Sequence, residues 1–251
     1  MIIERLIAIP WFRLFAEGSA ILLSILLAFA IDEWGEEADN AEREREILTA
    51  LSDDFSKSRE EVREWLGFHE ETQVILIEFL QKLISEDNLD PAAINQYLAD
   101  LSWMDPESHI TTGALNSVIA GGELTLISNS ELRRILADWP IQIETIGLIQ
   151  QNGYAFFEDK WTTYLMNFGY LPQVVIIPSE LPGIPDRVSA GGEVLLKSEF
   201  DHSEMVARTD FHGLLSAKLW THYDYINIYN MAIERINETL TLIENELSVQ
   251  G

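Results

Sequence analysis

Residues 14–31 read LFAEGSAILLSILLAFAI, 18 positions with a single charged side chain, Glu17. Wound as an α-helix at 1.5 Å per residue, a run of this length and polarity covers a hydrocarbon core and satisfies its own backbone hydrogen bonds. The first element is therefore expected to be a helix that spans a lipid bilayer. Trp11 and Trp34 bracket it where an aromatic belt would sit. A cleaved secretory signal fits the same residues, with Arg5 and Arg13 as its basic end, residues 18–27 as its apolar run and Ala28-Phe29-Ala30 as its small-residue site. Either reading exports the remainder of the chain, and the anchor is the favoured one.

Charge sets the orientation. Arg5 and Arg13 precede the span, whereas residues 32–46 hold eight acids (Asp32, Glu33, Glu36, Glu37, Asp39, Glu42, Glu44, Glu46) against Arg43 and Arg45, a net of 2 − 8 = −6. Basic residues favour the cytoplasmic side, and an acidic flank is disfavoured beside anionic lipid. The expectation is an amino terminus in the cytoplasm and the remainder in the periplasm of a bacterial inner membrane. The whole chain carries 42 acidic and 16 basic residues, a net charge of −26. Without a basic stripe to release counterions it excludes nucleic acid as a partner.

Within the span, Ala16, Ala20, Ser24 and Ala28 recur every four residues and would let another transmembrane helix, from a second copy or a larger complex, approach closely. Composition alone produces such stripes too. Glu17, one turn inside the boundary, reaches the headgroups; deeper in lipid it would mark a functional charge.

The string Glu17-Gly18 … Ala28-Phe29-Ala30-Ile31-Asp32-Glu33-Trp34-Gly35-Glu36 resembles the opening of a bacterial family of single-pass membrane proteins of unknown function. That family's anchor reads roughly G-E, an apolar run with a central Gly, then A-L-x-I-N-N-W-N-E. Here the Glu-to-Trp separation matches, Ser24 takes the central Gly position, and Asp32-Glu33 replace the paired asparagines. Leu115-Asn116-Ser117, Gly122-Glu123-Leu124, Ile127-Ser128-Asn129 and Glu131-Leu132-Arg133 are similar to patches of its soluble domain. The resemblance implies an architecture, an anchor followed by a helical domain, and brings no activity or catalytic residues with it.

Beyond the anchor, Ile47, Leu48, Leu51, Phe55, Val62, Trp65, Leu66, Leu76, Phe79, Leu80, Leu83 and Ile84 are spaced by threes and fours, as one face of a helix requires. The stretch is about 57 Å long as a helix, a stalk running into a bundle, with Gly35 and Gly67 as its expected breaks. Packing against the chain's own later helices is favoured over a parallel coiled coil of copies, because few heptads read cleanly. Asp90-Pro91 is a helix start running to about Trp103, and residues 111–119 form another helix. Ser128-Asn129-Ser130-Glu131 has the pattern of a capping box ahead of a helix toward Gly169, kinked at Pro140. A second long helix covers residues 210–247, with Leu214, Leu215, Leu219, Tyr223, Ile226, Tyr229, Ile233, Ile236, Leu240, Ile243 and Leu247 as its apolar stripe.

Residues 169–192 hold Pro172, Pro178, Pro182 and Pro185 and read as a loop, in which Val174-Val175-Ile176-Ile177 could pair as a short strand. Residues 118–128 and 188–198 match at seven of eleven positions, an echo compatible with a duplicated turn and extended segment that pair as a small β-ribbon. Fold class is thus mainly α: residues 1–34 as tail and anchor, 35–84 as acidic stalk and long helix, 85–251 as a helical domain.

No catalytic residue or metal ligand is assigned, and no cofactor is expected. The chain has no cysteine, which excludes disulfides, thiolate metal sites and thiol nucleophiles. His202, His212 and His222 lie among Asp201, Glu204, Asp210 and Asp224, but His212 and His222 are about 15 Å apart along one helix, too far to share an ion unaided. Neither copy of the echo has a phosphate-loop or dinucleotide spacing, and no G-x-S-x-G elbow is present. Trp220, Tyr223, Tyr225 and Tyr229, with Trp161 and Tyr164, fit a core better than a ligand pocket. The expected role is a non-catalytic structural or accessory subunit of a membrane assembly. A membrane-anchored sensor or ligand-binding module and a membrane-tethered hydrolase stand as alternatives.

Overall fold

A computed structural model describes residues 11–85, 89–102, 110–168 and 202–249, with only the backbone of residues 11–14 and 16. Helix α1 is Trp11–Ser85, α2 is Pro91–Asp100, α3 is Gly113–Ala120 and α4 is Ser130–Phe156. A π-helical turn, Phe157–Thr162, joins α4 to α5, Thr163–Asn167; α6 is Ser203–Val206 and α7 is Thr209–Val249. Among the described residues the regular structure is all helical, joined by short turns.

The core is a seam between α1 and α7, which run antiparallel. Buried positions repeat at heptad spacing on both: Leu48, Phe55, Val62, His69 and Leu76 with Glu44, Leu51, Ser58, Thr72 and Phe79 on α1, and Phe211, Lys218, Tyr225, Ala232 and Thr239 with Leu215, His222, Tyr229, Ile236 and Ile243 on α7. A 3.5-residue repeat keeps two helices in contact over their whole length, so the long helix packs on the chain's own last helix, as expected. Helix α4 lies against α7 through Leu132, Ile135, Leu136, Trp139 and Ile146. Trp139 is fully buried, its ring 5.0 Å from that of Phe55 and its indole N–H donated to Thr239 Oγ1 at 3.1 Å.

Caps fall where the sequence puts them. Asp90 accepts a hydrogen bond from the Ala92 amide, with Pro91 in the first turn of α2, and the Asn129 side chain accepts from the amides of Glu131 and Leu132 at the start of α4. Pro140 sits on the exposed side of α4, which continues past it. Glu44, counted with the acidic flank, is buried and accepts from the Ser128 amide at 2.5 Å and hydroxyl at 2.9 Å. A carboxylate so placed ties the approach to α4 onto α1.

Two expectations are corrected. Gly35 and Gly67 do not break α1, which is one helix of 75 residues. A glycine costs a helix about 1 kcal/mol, less than the cooperative gain of the good helix formers on either side and of the seam beyond. The small β-ribbon finds no support among the described residues either: residues 118–128 close α3, turn at Gly121-Gly122 and enter a 3₁₀ helix, Glu123–Leu126. Gly122 has φ 70°, a left-handed conformation that suits glycine, and Leu124 and Leu126 then pack on the core instead of pairing as a strand. The second copy of the echo, residues 188–198, the loop at 169–192 and the strand expected at 174–177 lie outside the described residues.

Candidate functional site

The anchor segment is marked by its bare surface. Phe15, Ile21, Leu22, Leu23, Ile25, Leu26, Leu27, Phe29 and Ile31 are all exposed, and no residue of an 18-residue window of mean hydropathy 1.5 is buried among the described residues. By length and composition this is a helix able to cross a membrane. Ala20, Ser24 and Ala28 lie exposed on α1, and Ser24 Oγ donates to the Ala20 carbonyl at 2.8 Å, a bond that leaves no strong donor pointing outward. Glu17 is exposed, and Trp34 is 75% exposed just beyond the apolar run. Trp11 and Ala16 belong to α1, but their side chains are outside the described atoms. The acidic residues from Asp32 to Glu42 line a bare helix between this segment and the seam.

A second feature lies inside the domain. The buried residues form two apolar clusters, one around Leu51, Trp139, Ile236 and Ile243 nearer the anchor, the other around Phe79, Leu98, Trp161 and Phe211 farther away. Between them the seam turns polar, with His69 and Thr72 from α1, Gln150 from α4, and Lys218, His222, Tyr225 and Tyr229 from α7. His69 Nδ1 and His222 Nδ1 are 3.0 Å apart, 153 residues distant in sequence. One ring donates and the other accepts, so the pair carries at least one neutral imidazole. The His69 ring stacks on Tyr225, centroids 4.2 Å apart and planes inclined by 11°. Tyr225 donates its hydroxyl to the Gln150 carbonyl at 3.2 Å, and the Gln150 amide donates to the Tyr229 oxygen at 3.1 Å.

The π-helical turn belongs to the same layer. Gly153, Phe157, Trp161 and Leu165 are buried at intervals of four, a stripe that a 3.6-residue helix cannot hold in line and one wider turn can. It places the rings of Phe157 and Trp161 at 5.4 and 5.2 Å from Lys218 Nζ, within cation–π range. Burial, and then the Lys218 charge, hold the His222 imidazole far below its usual value, at about 3. Gly153 is required by the layer: a Cβ there would meet the Tyr225 hydroxyl and lie 2.7 Å from two of its ring carbons. Tyr225 is stacked and hydrogen-bonded and cannot step aside. Gly153→Ala is therefore expected to destabilise the fold by about 1–3 kcal/mol, read as a lower denaturation midpoint, whereas Gly147→Ala, with open space at its Cβ, leaves it unchanged or slightly raised.

A search for close His pairs along the chain passes over this layer. The usable signal is the heptad: His69 stands midway between Val62 and Leu76, and His222 between Leu215 and Tyr229. The grouping drawn around His202, His212 and His222 is not assembled. His212 Nε2 meets the Val206 carbonyl at 2.9 Å, Asp210 is held by Arg208 and Tyr164 at 2.7 and 2.9 Å, and His202 is buried. Those contacts lower the Asp210 carboxyl to about 2, Arg208 foremost. Among the described residues no group of three or more His, Asp or Glu could hold a metal ion. The aromatic set divides: Trp161, Tyr225 and Tyr229 are core, Trp220 and Tyr223 are exposed.

No protein family model, curated protein or solved structure matches the chain.

Proposed function

We propose that this chain is a non-catalytic, single-pass protein of a bacterial inner membrane that serves as a structural or accessory subunit of a membrane assembly. The apolar part of α1 crosses the bilayer, Arg5 and Arg13 stay in the cytoplasm, and the acidic helical domain stands in the periplasm. One observation carries the reading: α1 leaves the domain with an apolar surface that none of the other described residues covers, so lipid and other transmembrane helices are its natural surroundings. Ala20, Ser24 and Ala28 give a neighbouring helix its closest approach, with the Ser24 hydroxyl turned back onto its own backbone. The resemblance of the Glu17–Glu36 string to the anchors of single-pass proteins supports the same architecture.

Extraction into nanodiscs and native mass spectrometry test this. The expected result is a defined complex larger than the chain, weakened when Ala20, Ser24 and Ala28 are all changed to Leu. Recovery of the chain alone, or a complex indifferent to those changes, overturns the accessory role. The same mass reads whether the apolar segment is still attached, separating an anchor from a cleaved signal.

A further inference from the structure

The polar layer is placed where a bundle of this kind has most to lose by it, across the seam and between two apolar clusters that each close on their own residues. A buried polar layer also fixes register, as single polar positions do in coiled coils, but hydroxyl or amide side chains suffice for that. Two histidines sharing one Nδ1 proton add a property those groups lack, a dependence on proton concentration in the range where proteins work.

We infer that the His69–His222 pair is a proton-responsive joint, at which acidification loosens the packing of α7 on α1 around the polar layer while the anchor-proximal core stays closed. Both rings are fully buried. A proton added to either makes a cation in a layer shielded from water, and a second proton removes the only acceptor of the Nδ1–Nδ1 bond. Opening the layer to water relieves both. Among the described residues, the titratable or charged groups facing the pair are Lys218, Tyr225 and Tyr229, all on α7. Helix α4 brings Gln150 and Gly153, the π-helical turn brings Phe157 and Trp161, and α1 itself brings Thr72. Glu70 and Glu71 on α1, Asp224 on α7 and Glu158, Asp159 and Lys160 on the π-helical turn point to solvent. Burial and the Lys218 charge both oppose a proton on His222.

His222 sets the sign. It is held below its ordinary value in the closed layer and regains that value when the layer opens, so the open form binds the extra proton and gains as pH falls below about 6.5. Above that pH the pair is neutral in both forms and the closed layer is favoured.

Hydrogen exchange on the full chain in nanodiscs between pH 7.5 and 5 tests the inference. Protection, corrected for the pH dependence of intrinsic exchange, is expected to fall about tenfold per pH unit below about 6.5 at amides of α7 around His222 and in the π-helical turn. Amides around Ile236 and Ile243 are expected to keep theirs. His222→Gln should abolish the slope, and His69→Gln should reduce it. A flat profile in the unaltered chain, a parallel loss along the entire seam, or an unchanged slope in both variants overturns the joint. The unaltered chain alone decides the matter should a variant fail to fold.

Discussion

Trp139→Ala is expected to cost the domain about 3–5 kcal/mol, the largest loss from any single truncation in the anchor-proximal core. The side chain is wholly buried and rests on Phe55 of α1, and its N–H reaches Thr239 of α7, so one residue of α4 touches both long helices. Removing it leaves a cavity bounded by two helices that are held at fixed spacing by the rest of the seam, and such a space collapses poorly. For a domain of this size the loss lowers the thermal midpoint by roughly 10 °C. Far-UV circular dichroism of the full chain in nanodiscs, recorded through denaturation, reads it. Thr239→Val separates the hydrogen bond from the packing and should account for about 1 kcal/mol of the total. A Trp139→Ala loss below about 1 kcal/mol would mean that α4 does not lock onto the seam.

Charging the middle of the apolar segment should have a comparable effect on a different equilibrium. Leu23 and Leu26 are 65% and 55% exposed. Changing both to Arg is expected to cost about 5–7 kcal/mol of membrane insertion, at roughly 2.5–3.5 kcal/mol for each charge near the centre of a span. Alkaline extraction of membranes checks this: the unaltered chain stays in the pellet and the doubly charged variant moves to the supernatant. Circular dichroism of the released protein should still report a folded domain. Retention of the variant in the pellet would show that something other than residues 14–31 fixes the chain to the bilayer.

Much of the architecture is legible in local chemistry. Asp90-Pro91 and Asn129 announce helix starts by supplying an acceptor for free amides, and the apolar run announces its helix because nothing else satisfies a backbone away from water. Errors arise where a local signal is outweighed by distant contacts. Gly35 and Gly67 weaken a helix by an amount that neighbouring turns absorb. The Val118–Ser128 echo looks extended by composition, yet residues 123–126 coil because the turn at Gly122 aims Leu124 and Leu126 at the core. Apolar counting misplaces part of the α7 stripe as well: Tyr223 is exposed, while Lys218 and His222 are buried one and two turns along the heptad. The histidine joint is hidden for the same reason. A scan that asks which residues look hydrophobic cannot find a polar layer, whereas one that tracks the seven-residue interval does.

Helix α1 also has a mechanical meaning. The 75 residues that begin in the apolar segment and end beside the second core form a rod of about 110 Å with no hinge along it. In such a rod the angular phase of any residue fixes the phase of every other. A neighbour that grips the face of Ala20, Ser24 and Ala28 and rotates it would therefore swing the seam through the same arc, with no slack linker to dissipate the twist. In the membrane setting proposed above, torque on the anchor is passed to the domain along continuous helix, and strain arising at the domain travels back by the same shaft.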